Sequence, residues 1–506
     1  MGSVRSGQVL ATFWFLCFPL FFLATEVHGQ ARNAHWVLGG FLQTQPGSLW
    51  SQMTTAPVFA GGTTFGQCES AAAISDTSGT LLFYTGRGRV HRANGEEMYN
   101  CSSAWQNATV TQGQLVLPRP GHPEIYDLIM IDSAADSTLN SLNKPKAVRI
   151  EVDMSAQDGT GAVVGNELIF GYNLTERLCG TPHVNGSDYW ILMHEWKTDK
   201  FLAYMIGEDG LDTLPVVSQT GAVHSAEYGT CTTNSNRQGE MKFTYAGDRV
   251  ALCSFNFCGN DLVQPSIVQL FDFDALTGQV DYWMTLPEHY HTYGIEFSQD
   301  GGKFYVSGID EQERYVDQYD VLAGDTSAVR SSRSRIYATP YNGQPDQPFP
   351  NAMELASNGR IYVSHSGLSL DVINAPNEEG LACDYAEAAL IFANSQQHLS
   401  HVSQMKRYHD SEFMGAHTGF RPLPLPEFLR PWPDPALDRC FLTLPSPNIR
   451  SLSLWDATGR VVRDVLCAPG QRELRIERMD LCSGMYQVLA RDAHGAAVAT
   501  GRVLFE

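Results

Sequence analysis

The sequence predicts an all-β protein, a roughly seven-bladed β-propeller followed by a small immunoglobulin-like β-sandwich. Two observations lead to this fold class. Between residues 30 and 421, one unit recurs that holds an apolar strand, a tight turn with glycine, and a strand of aromatic and β-branched residues. Residues 431–506 instead hold short alternating strands with turns about every ten residues, as a small antiparallel sandwich requires.

The chain begins with a segment that is typical of exported proteins. Arg5 is the first charged residue, and residues 10–24 form an apolar run. A basic start, a short apolar core and a small residue at the exit describe a signal peptide. We therefore expect residues 1–29 to be removed, with the junction between Gly29 and Gln30. The alternative is a membrane anchor, which needs roughly 20 apolar residues, and no segment of the chain is long enough.

Six glycines mark the repeated unit of the body. Repeats of this length with four short strands are typical of β-propeller blades. About 390 residues divided by about 56 per repeat gives seven blades, with six or eight as alternatives, whereas a β-helix would have shorter and more regular repeats. Because six copies are visible, we expect residues 35–38 to complete the last blade by pairing with residues 389–393. The glycines are Gly79, Gly121, Gly186, Gly247, Gly301 and Gly359.

The composition describes a globular protein with a strongly acidic body. Hydrophobic residues make up 43% of the chain and aromatic residues 11%, which is enough for a sizeable core. The formal net charge is -21, and the excess of acidic residues lies between the signal segment and residue 431. Phosphate backbones repel a body of this charge, so we expect no nucleic-acid partner.

Several histidines and acids have the chemistry of metal ligands. His183, His194 and Glu195 lie in one or two consecutive repeats, and His289 and His291 fall in a later loop. A metal site needs three or four such ligands at one point, which spacing across repeats does not establish. The alternative, which we favour, is that they are strand residues hydrogen-bonded between blades. We therefore predict no catalytic residue, no cofactor and no metal, with the first three residues as the metal candidates.

Cysteine usage agrees with export. Ten cysteines remain after removal of the signal segment, and an even number in an exported chain indicates disulfides. Cys253 and Cys258 flank a short loop, and Cys467 and Cys482 lie at strand ends in the tail, so these are the candidate pairs. No Cys-x-x-Cys spacing occurs, which argues against zinc-ribbon and thioredoxin-like proteins.

Three ordered blocks near the chain end relate the tail to a known family. They are Pro-Trp-Pro-Asp-Pro-Ala at 431–436, Asp-Ala-Thr-Gly-Arg-Val-Val at 456–462 and Leu-Cys-Ser-Gly-Met-Tyr at 481–486. These blocks resemble the C-terminal sorting domain of proteins exported by the type IX secretion system (T9SS, type A) of Bacteroidota. The resemblance implies that the outer-membrane translocon reads residues 431–506, which follow and overlap a Pro-rich linker at 422–435. An ordinary immunoglobulin-like accessory domain is the alternative.

The body also carries short matches to a family. They include Leu-Leu-Phe-Tyr-Thr at 81–85, Asp-Tyr-Trp at 188–190, Leu-Phe-Asp-Phe-Asp at 270–274 and Tyr-Gly-Ile-Glu-Phe-Ser at 293–298. These segments resemble the WD-repeat-like (WD40-like) and YVTN-like secreted propellers of Bacteroidota. The closing Gly-Leu-Pro-Asn-Phe of that family is missing near 399–403, so the resemblance does not define how the last blade closes. It implies a surface location and no established reaction.

These features together predict a protein that is secreted or held at the cell surface, after passage through the periplasm and the outer membrane. We expect a noncatalytic propeller that binds an unknown surface glycan or protein, with the type IX secretion machinery as a partner and no transmembrane segment in the mature form. The alternative is a propeller enzyme, either a metal-dependent lactonase or a carbohydrate-active hydrolase. The chain lacks a Gly-x-Ser-x-Gly elbow, which argues against a serine hydrolase.

Overall fold

The prediction of an all-β protein is confirmed. In the computed structural model, strands account for 57% of the structure and helices for 5%. No helix in the described ranges is long and apolar enough to cross a membrane. The predicted signal peptide and its junction at Gly29 and Gln30 lie outside these ranges. The described residues are 32–38, 48–51, 58–62, 69–101, 110–132, 145–225, 237–255, 265–341, 351–364, 369–391, 401–402, 405–409, 427–429, 431–432, 438–444, 449–455, 461–468, 470–479, 481–492 and 497–505.

The body consists of antiparallel sheets, most of them four-stranded, that follow one another along the chain. The N-terminal sheet contains β1 (His35–Leu38), β2 (Ser48–Ser51) and β3 (Val58–Gly62). The next sheet contains β4 (Ser70–Ser75), β5 (Leu81–Gly86) and β6 (Arg89–Arg92). The third contains β7 (Gln114–Arg119), β8 (His122–Asp132), β9 (Lys146–Asp153) and β10 (Ala162–Gly171), with the short helix α1 (Ala156–Gly159) before β10.

Four further sheet segments complete the body. The strands β11 (Leu174–Pro182), β12 (Tyr189–Glu195), β13 (Lys200–Gly207), β14 (Gly210–Leu211) and β15 (Val216–Gln219) form one sheet. The next holds β16 (Met241–Phe243), β17 (Arg249–Ser254), β18 (Ile267–Asp274) and β19 (Gln279–Thr285). Another holds β20 (Ile295–Phe297), β21 (Lys303–Ile309), β22 (Glu313–Asp320) and β23 (Ser334–Pro340), with α2 (Thr326–Ser331) before β23. The last strands are β24 (Met353–Leu355), β25 (Ile361–Val363), β26 (Ser369–Ile373), β27 (Tyr385–Ile391), which follows a 3-10 helix (Gly380–Cys383), and β28 (His401–Val402).

The six glycines of the repeat occupy the same place in six sheets. Each lies in the turn between the first and second strand of its sheet, with φ between 71° and 84°. Residues with a Cβ atom rarely adopt this conformation, so glycine defines these turns. The turn at Gly79 is also held by Asp76, whose Oδ1 accepts hydrogen bonds from the backbone N–H groups of Ser78 and Thr80, both at 2.8 Å. The repeated unit seen in the sequence is therefore one antiparallel sheet.

The first strands of these sheets are arranged in a circle. Neighbouring first strands are in contact in the order β4, β7, β11, β16, β20, β24 and β28, and β28 pairs in parallel with β4. A circle of this kind surrounds a central tunnel, as is typical of propellers.

The predicted closure between residues 35–38 and 389–393 is wrong. β1 pairs with β2, and β27 pairs with β26. β1 is instead in contact with β28 and with β4. Two-residue strands such as β28 carry no alternating pattern, so the sequence offers no sign that this segment closes the circle.

Aromatic side chains fill the space between neighbouring sheets and hold the first strands in position. Phe201 on β13 packs against Phe271 on β18, with ring centres 4.8 Å apart. The indole N–H of Trp190 donates to the backbone oxygen of Ala275 at 2.9 Å, across the same pair of sheets. Each fully buried ring stabilises the fold by about 1.5 to 3 kcal/mol.

Residues 427–505 contain a separate two-sheet unit. The eight strands among its described residues enclose a core whose buried residues all lie between Leu429 and Phe505. β29 pairs with β36 inside this unit, so part of the predicted linker at 422–435 belongs to it. The strands are β29 (Glu427–Leu429), β30 (Pro431–Trp432), β31 (Arg439–Thr443), β32 (Ile449–Trp455), β33 (Val461–Leu466), β34 (Glu473–Glu477), β35 (Gly484–Asp492) and β36 (Ala497–Phe505), with β30, β31 and β34 in the smaller sheet.

Candidate functional site at the tunnel mouth

Four polar side chains meet where the first strands begin. Glu69 and Thr111 lie before β4 and β7, Glu176 is the third residue of β11, and Tyr293 lies before β20. Because β20 and β7 are not neighbours in the circle, the Tyr293 side chain crosses the tunnel to reach Thr111, with 3.3 Å between the hydroxyl oxygens. We call these four residues the mouth cluster.

Hydroxyl groups of the mouth cluster donate hydrogen bonds to both of its carboxyl groups. The backbone N–H and the hydroxyl of Thr111 both donate to Glu176 Oε2 at 3.1 Å. The Tyr293 hydroxyl donates to the Glu69 carboxyl. Glu69 Oε2 is shielded from solvent and has no hydrogen-bond partner among the described residues. Glu69 therefore keeps one oxygen atom that can accept a hydrogen bond from a ligand.

Burial and charge make Glu69 titrate near neutral pH. Burial raises the pKa of Glu69 to about 7, the negative charge of Glu176 adds to this effect, and the hydrogen bond from Tyr293 opposes it. Burial also raises the pKa of Glu176, although the hydrogen bonds from Thr111 and the charges of Arg177 and Arg237 counteract this. A carboxyl group whose pKa lies near 7 can take up or release a proton when a ligand binds.

Replacing Tyr293 with phenylalanine should raise the pKa of Glu69 further. The substitution removes the hydrogen bond that favours the ionised carboxylate, while the burial of Glu69 remains. The pKa is measured by following the Glu69 carboxyl carbon with NMR as the pH is changed. Tyr282→Phe is the control, because the Tyr282 side chain is exposed. An unchanged or lower pKa in Tyr293→Phe would show that this hydroxyl does not bond to Glu69.

Charged side chains fill the tunnel beyond the mouth cluster. Lys242 Nζ contacts Glu354 and lies 3.6 Å from Glu240 Oε1 and 3.9 Å from Glu296 Oε2. Lys406 Nζ contacts Glu296 and donates to the backbone oxygen of Phe243 at 2.6 Å. Three carboxyl groups thus share two ammonium groups. We call Glu240, Lys242, Glu296, Glu354 and Lys406 the lysine cluster.

Burial and the neighbouring charges shift the pKa values of two members of the lysine cluster. Burial raises the pKa of Glu354 to about 8, and Glu296 adds to the shift, although Lys242 opposes it. Burial alone would lower the pKa of Lys242, but the charges of Glu240, Glu354 and Glu296 outweigh that effect and raise it. The carboxyl groups around Lys242 therefore keep it in its charged form.

The carboxylates of this cluster also accept hydrogen bonds from the backbone of the first strands. A strand that faces a tunnel has no neighbour on that side, so its N–H groups need other acceptors. Glu240 Oε2 accepts from the N–H groups of Ile295 at 2.9 Å and Met353 at 3.3 Å. Glu296 Oε2 accepts from the N–H of Leu355 at 3.0 Å. These contacts give the lysine cluster a structural role.

Residues 405–409, which we call the floor segment, cross the far end of the tunnel. The Tyr408 hydroxyl donates to the backbone oxygen of Val116 at 3.3 Å, and His409 Nε2 donates to the backbone oxygen of Asp188 at 2.7 Å. Met405 and Tyr408 are buried. The tunnel is therefore filled from this end by the chain itself, and the mouth cluster lies at the opposite end.

The structure does not bring the predicted metal candidates together. His183 lies at the start of β12, where its backbone N–H donates to Asp188, whereas His194 lies at the end of the same strand. His194 is six residues after Asp188, which corresponds to about 20 Å at about 3.3 Å per residue of extended strand. Glu195, on the opposite strand face from His194, pairs with Lys200 at 3.5 Å. Within the described ranges, no three His, Cys, Asp or Glu side chains are placed to hold a metal ion.

The histidines instead bond to or pack against their neighbours. His183 Nδ1 accepts from the N–H of Asn185 at 3.0 Å, and Nε2 donates to a backbone oxygen at 3.1 Å. His289 lies between two tyrosine hydroxyls, at 3.2 Å and 2.7 Å. The rings of His194 and His224 pack against each other in the interior, with centres 4.5 Å apart and planes tilted by 57°.

Buried histidines should make the protein less stable in acid. Burial and the positive charge of Arg177 lower the pKa of His194 to about 3, and burial lowers that of His291 to about 4. Below pH 6.5 these histidines become protonated in the unfolded chain but stay neutral in the folded protein. The free energy of unfolding therefore decreases as the pH falls. We expect a loss of about 1.4 kcal/mol per pH unit for each histidine.

Urea unfolding at pH 7, 6 and 5 measures this effect, and His194→Gln should show a smaller slope than the parent protein. The difference between the two slopes of unfolding free energy against pH gives the contribution of His194. Glu69 contributes with the opposite sign, because its pKa is raised in the folded protein, but it contributes equally to both slopes. Equal slopes would contradict the prediction.

The structure contains neither of the two predicted disulfides. Cys467 and Cys482 are both free thiols, the first buried and the second exposed, so the structure does not contain this bridge. Cys253 is buried on β17, and its thiol donates to the backbone oxygen of Tyr293 at 3.1 Å. Cys258 lies outside the described residues, but Cys253 is itself a free thiol, so the structure does not contain this bridge either.

The residues of the mouth and lysine clusters were not predicted from the sequence. Glu240, Glu296 and Glu354 each lie in or beside a three-residue apolar strand, and they are 56 and 58 residues apart. This spacing is close to that of the turn glycines. A glutamate that recurs once per sheet could therefore have indicated that these carboxyl groups come together. Glu69 carries no such signal, because its partner Tyr293 is distant in the sequence.

Comparisons with known proteins add little to this geometry. No model of a protein family matches the sequence, and no curated protein matches it. Among solved structures, a functionally unknown protein from Desulfotomaculum acetoxidans is 15% identical with a TM-score of 0.41, over 73% of this chain and 100% of that one. A candidate 6-phosphogluconolactonase from Bacteroides uniformis is 10% identical with a TM-score of 0.39, over 72% and 97%.

A third similar structure is the extracellular domain of a candidate hybrid two-component system from B. thetaiotaomicron. It is 10% identical with a TM-score of 0.30, and the match covers 94% of this chain and 56% of that one. Because all three scores are below 0.5, these similarities assign neither a ligand nor an activity to this protein.

Proposed function

We propose that this chain is an exported, noncatalytic propeller whose mouth cluster binds a glycan or a protein. The observation that carries the proposal is Glu69 Oε2, a shielded acceptor without a partner among the described residues, at the tunnel end opposite the floor segment. The lysines and carboxylates deeper in the tunnel contact one another and the strand backbones, which supports a structural role for them. A ligand with hydroxyl, amide or ammonium donors fits the unused acceptor at the mouth.

We further propose seven blades. Five sheets of four or five strands and the sheet of β4, β5 and β6 account for six of them. The contact between β1 and β28 supports a seventh blade in which β28 is innermost and β1, β2 and β3 follow outward. Such a blade joins the two ends of the propeller, which is a common way to close a ring without leaving a free sheet edge.

The binding proposal is tested with the purified mature protein. Glycans and a surface extract from the source of the protein are presented to the parent chain, to Glu69→Gln and to Glu208→Gln. Glu208 is exposed in the turn between β13 and β14, which makes it a matched control. We expect binding to the parent and to Glu208→Gln and a loss in Glu69→Gln. Binding that does not depend on Glu69 would overturn the assignment of the mouth cluster.

The C-terminal unit is proposed to direct type IX secretion. Its support is the set of three sequence blocks together with a two-sheet unit that has its own core. We expect the chain that lacks residues 427–506 to remain inside the cell envelope, whereas the full chain reaches the surface and loses this unit. Intact mass of protein from unpermeabilised cells measures both. A truncated chain that still reaches the surface would contradict sorting and favour an accessory domain.

One observation favours an enzyme as the second candidate. Glu69, with a pKa of about 7, and Glu176 could act as a general acid and a general base, as the carboxyl pairs of glycoside hydrolases do. A carbohydrate-active hydrolase would bind its substrate in Glu69→Gln but no longer turn it over. A glycan that binds the parent protein and is recovered intact after long incubation would exclude this candidate for that glycan.

A further inference from the structure

The two carboxyl groups of the mouth cluster differ in the charges around them. The positive charges of Arg177 and Arg237 act on Glu176, and both hydrogen-bond donors of Thr111 are directed to it. The charge that acts on Glu69 is the negative one of Glu176. Glu69 thus has one hydrogen bond, from Tyr293, one open acceptor, and a repulsive neighbour. A positively charged hydrogen-bond donor would fill the open acceptor and offset the repulsion from Glu176.

A second unpartnered acceptor lies at the same end of the tunnel. Asn351, which precedes β24, is buried, and its Oδ1 has no hydrogen-bond partner among the described residues. Its backbone oxygen accepts from Ser307 at 3.0 Å, beside the chain that leads from Tyr293 into β20. Acceptors are what an ammonium group requires, because it has three N–H donors and no acceptor.

The charge of the whole chain favours the same kind of ligand. The formal net charge is -21, so the surface potential attracts cations toward the propeller. A metal ion is a weaker fit than an organic cation, because the described residues supply no group of three His, Cys, Asp or Glu ligands. Carboxylate and hydroxyl oxygens in a partly dehydrated site instead suit a primary ammonium.

We propose that Glu69 binds the ammonium group of a protonated primary amine at the tunnel mouth. This inference rests on the proposed binding function and specifies its ligand chemistry. Such a group occurs on an amino sugar and on a lysine side chain, so a glycan and a protein could each supply it. Binding ionises the fraction of Glu69 that is protonated, and the proton leaves to the buffer while the ammonium keeps its own three protons.

The test uses calorimetry on the mature full chain at pH 7, in phosphate and in MOPS, whose protonation enthalpies differ and which contain no primary amine. Glucosamine and Nα-acetyl-lysine amide are the two amine probes. N-acetylglucosamine and Nα-acetyl-norleucine amide are their matched controls without a charged amine. We expect an amine to bind, its control not to bind, and about half a proton to be released per site when the pKa is near 7. The tighter of the two amines identifies an amino sugar or a protein as the source.

Variants connect the binding to Glu69. Glu69→Gln keeps the shape of the side chain but removes its charge, and we expect at least a tenfold loss of affinity and no proton release. Glu208→Gln should match the parent protein in both measurements. Thermal unfolding of each variant establishes that it is folded before it is titrated.

Three results would overturn the inference: no binding of either amine, equal binding of an amine and its uncharged control, or equal affinity in Glu69→Gln. These results differ from a failure of the proposed function. If the surface extract binds at the mouth and excess amine does not compete, the propeller is a binding protein with a different ligand chemistry. If neither extract nor amine binds, both proposals fail.

Discussion

Replacing Lys406 with alanine should lower the free energy of unfolding by about 3 to 5 kcal/mol. Glu296 is fully buried, and Lys406 is the cation in direct contact with it, since Lys242 Nζ lies 3.9 Å away. Removing Lys406 leaves this carboxylate in the protein interior with less compensation. The loss also frees the backbone oxygen of Phe243, which Lys406 bonds at 2.6 Å. Urea unfolding at pH 7 measures the change.

Two comparisons make this prediction specific. Lys200→Ala removes a partly exposed lysine that pairs with Glu195 at 3.5 Å, and it should cost no more than about 1 kcal/mol. Lys406→Met combined with Glu296→Gln should recover part of the loss, because no uncompensated charge then remains. If Lys406→Ala costs as little as Lys200→Ala, the floor segment does not neutralise the tunnel as the structure indicates.

Replacing Gly294 with alanine should destabilise the propeller by about 3 kcal/mol or more. Gly294 lies directly before β20, and a Cβ atom there would be 1.8 Å from the backbone oxygen of Asn351 and 2.8 Å from its carbonyl carbon. Both obstructing atoms belong to the backbone at the start of β24, so a side-chain rotation does not relieve the overlap. The two first strands must move apart, which disturbs Tyr293 and the mouth cluster. Thermal unfolding measures the loss.

Gly207 provides the matched control. It lies at the end of β13, and a Cβ atom there would meet only Asp188, at an ordinary 3.5 Å. Gly207→Ala should therefore change stability by less than about 1 kcal/mol. A similar, small effect of both substitutions would mean that β20 and β24 do not approach as closely as the structure has them.

The sequence predicted the repeated sheets of the fold well, because they depend on local signals. Each turn glycine needs a positive φ within its own hairpin, and strands such as Glu473–Glu477 alternate exposed and buried residues. Closure of the circle was mispredicted for the opposite reason. It depends on β28, whose two residues have no local pattern and whose partners β1 and β4 are found more than three hundred residues earlier.

The candidate site was missed for a related reason. A buried carboxylate such as Glu69 looks in the sequence like any acidic residue in an acidic protein. Its properties depend on Tyr293 and Glu176, which the circle of first strands brings to it from other repeats. The histidines drew attention because of their chemistry, yet His183 lies beside the start of β12 and His194 near the end of that strand. Residue type was a weaker guide here than the periodic position of Glu240, Glu296 and Glu354.

The floor segment has a consequence for the order in which this protein can acquire its structure. Asn33 Nδ2 donates to the backbone oxygen of Met405 at 2.5 Å, so the first and last parts of the ring are in direct contact. A chain that emerges from a translocation pore with its N-terminus first cannot make this contact until residue 405 has passed through. Until then the carboxylate of Glu296 lacks its contact with Lys406. Contacts between residues that are far apart in the chain also form slowly. Maturation of the ring should therefore follow the end of translocation, and a chain arrested before the floor segment should remain sensitive to protease.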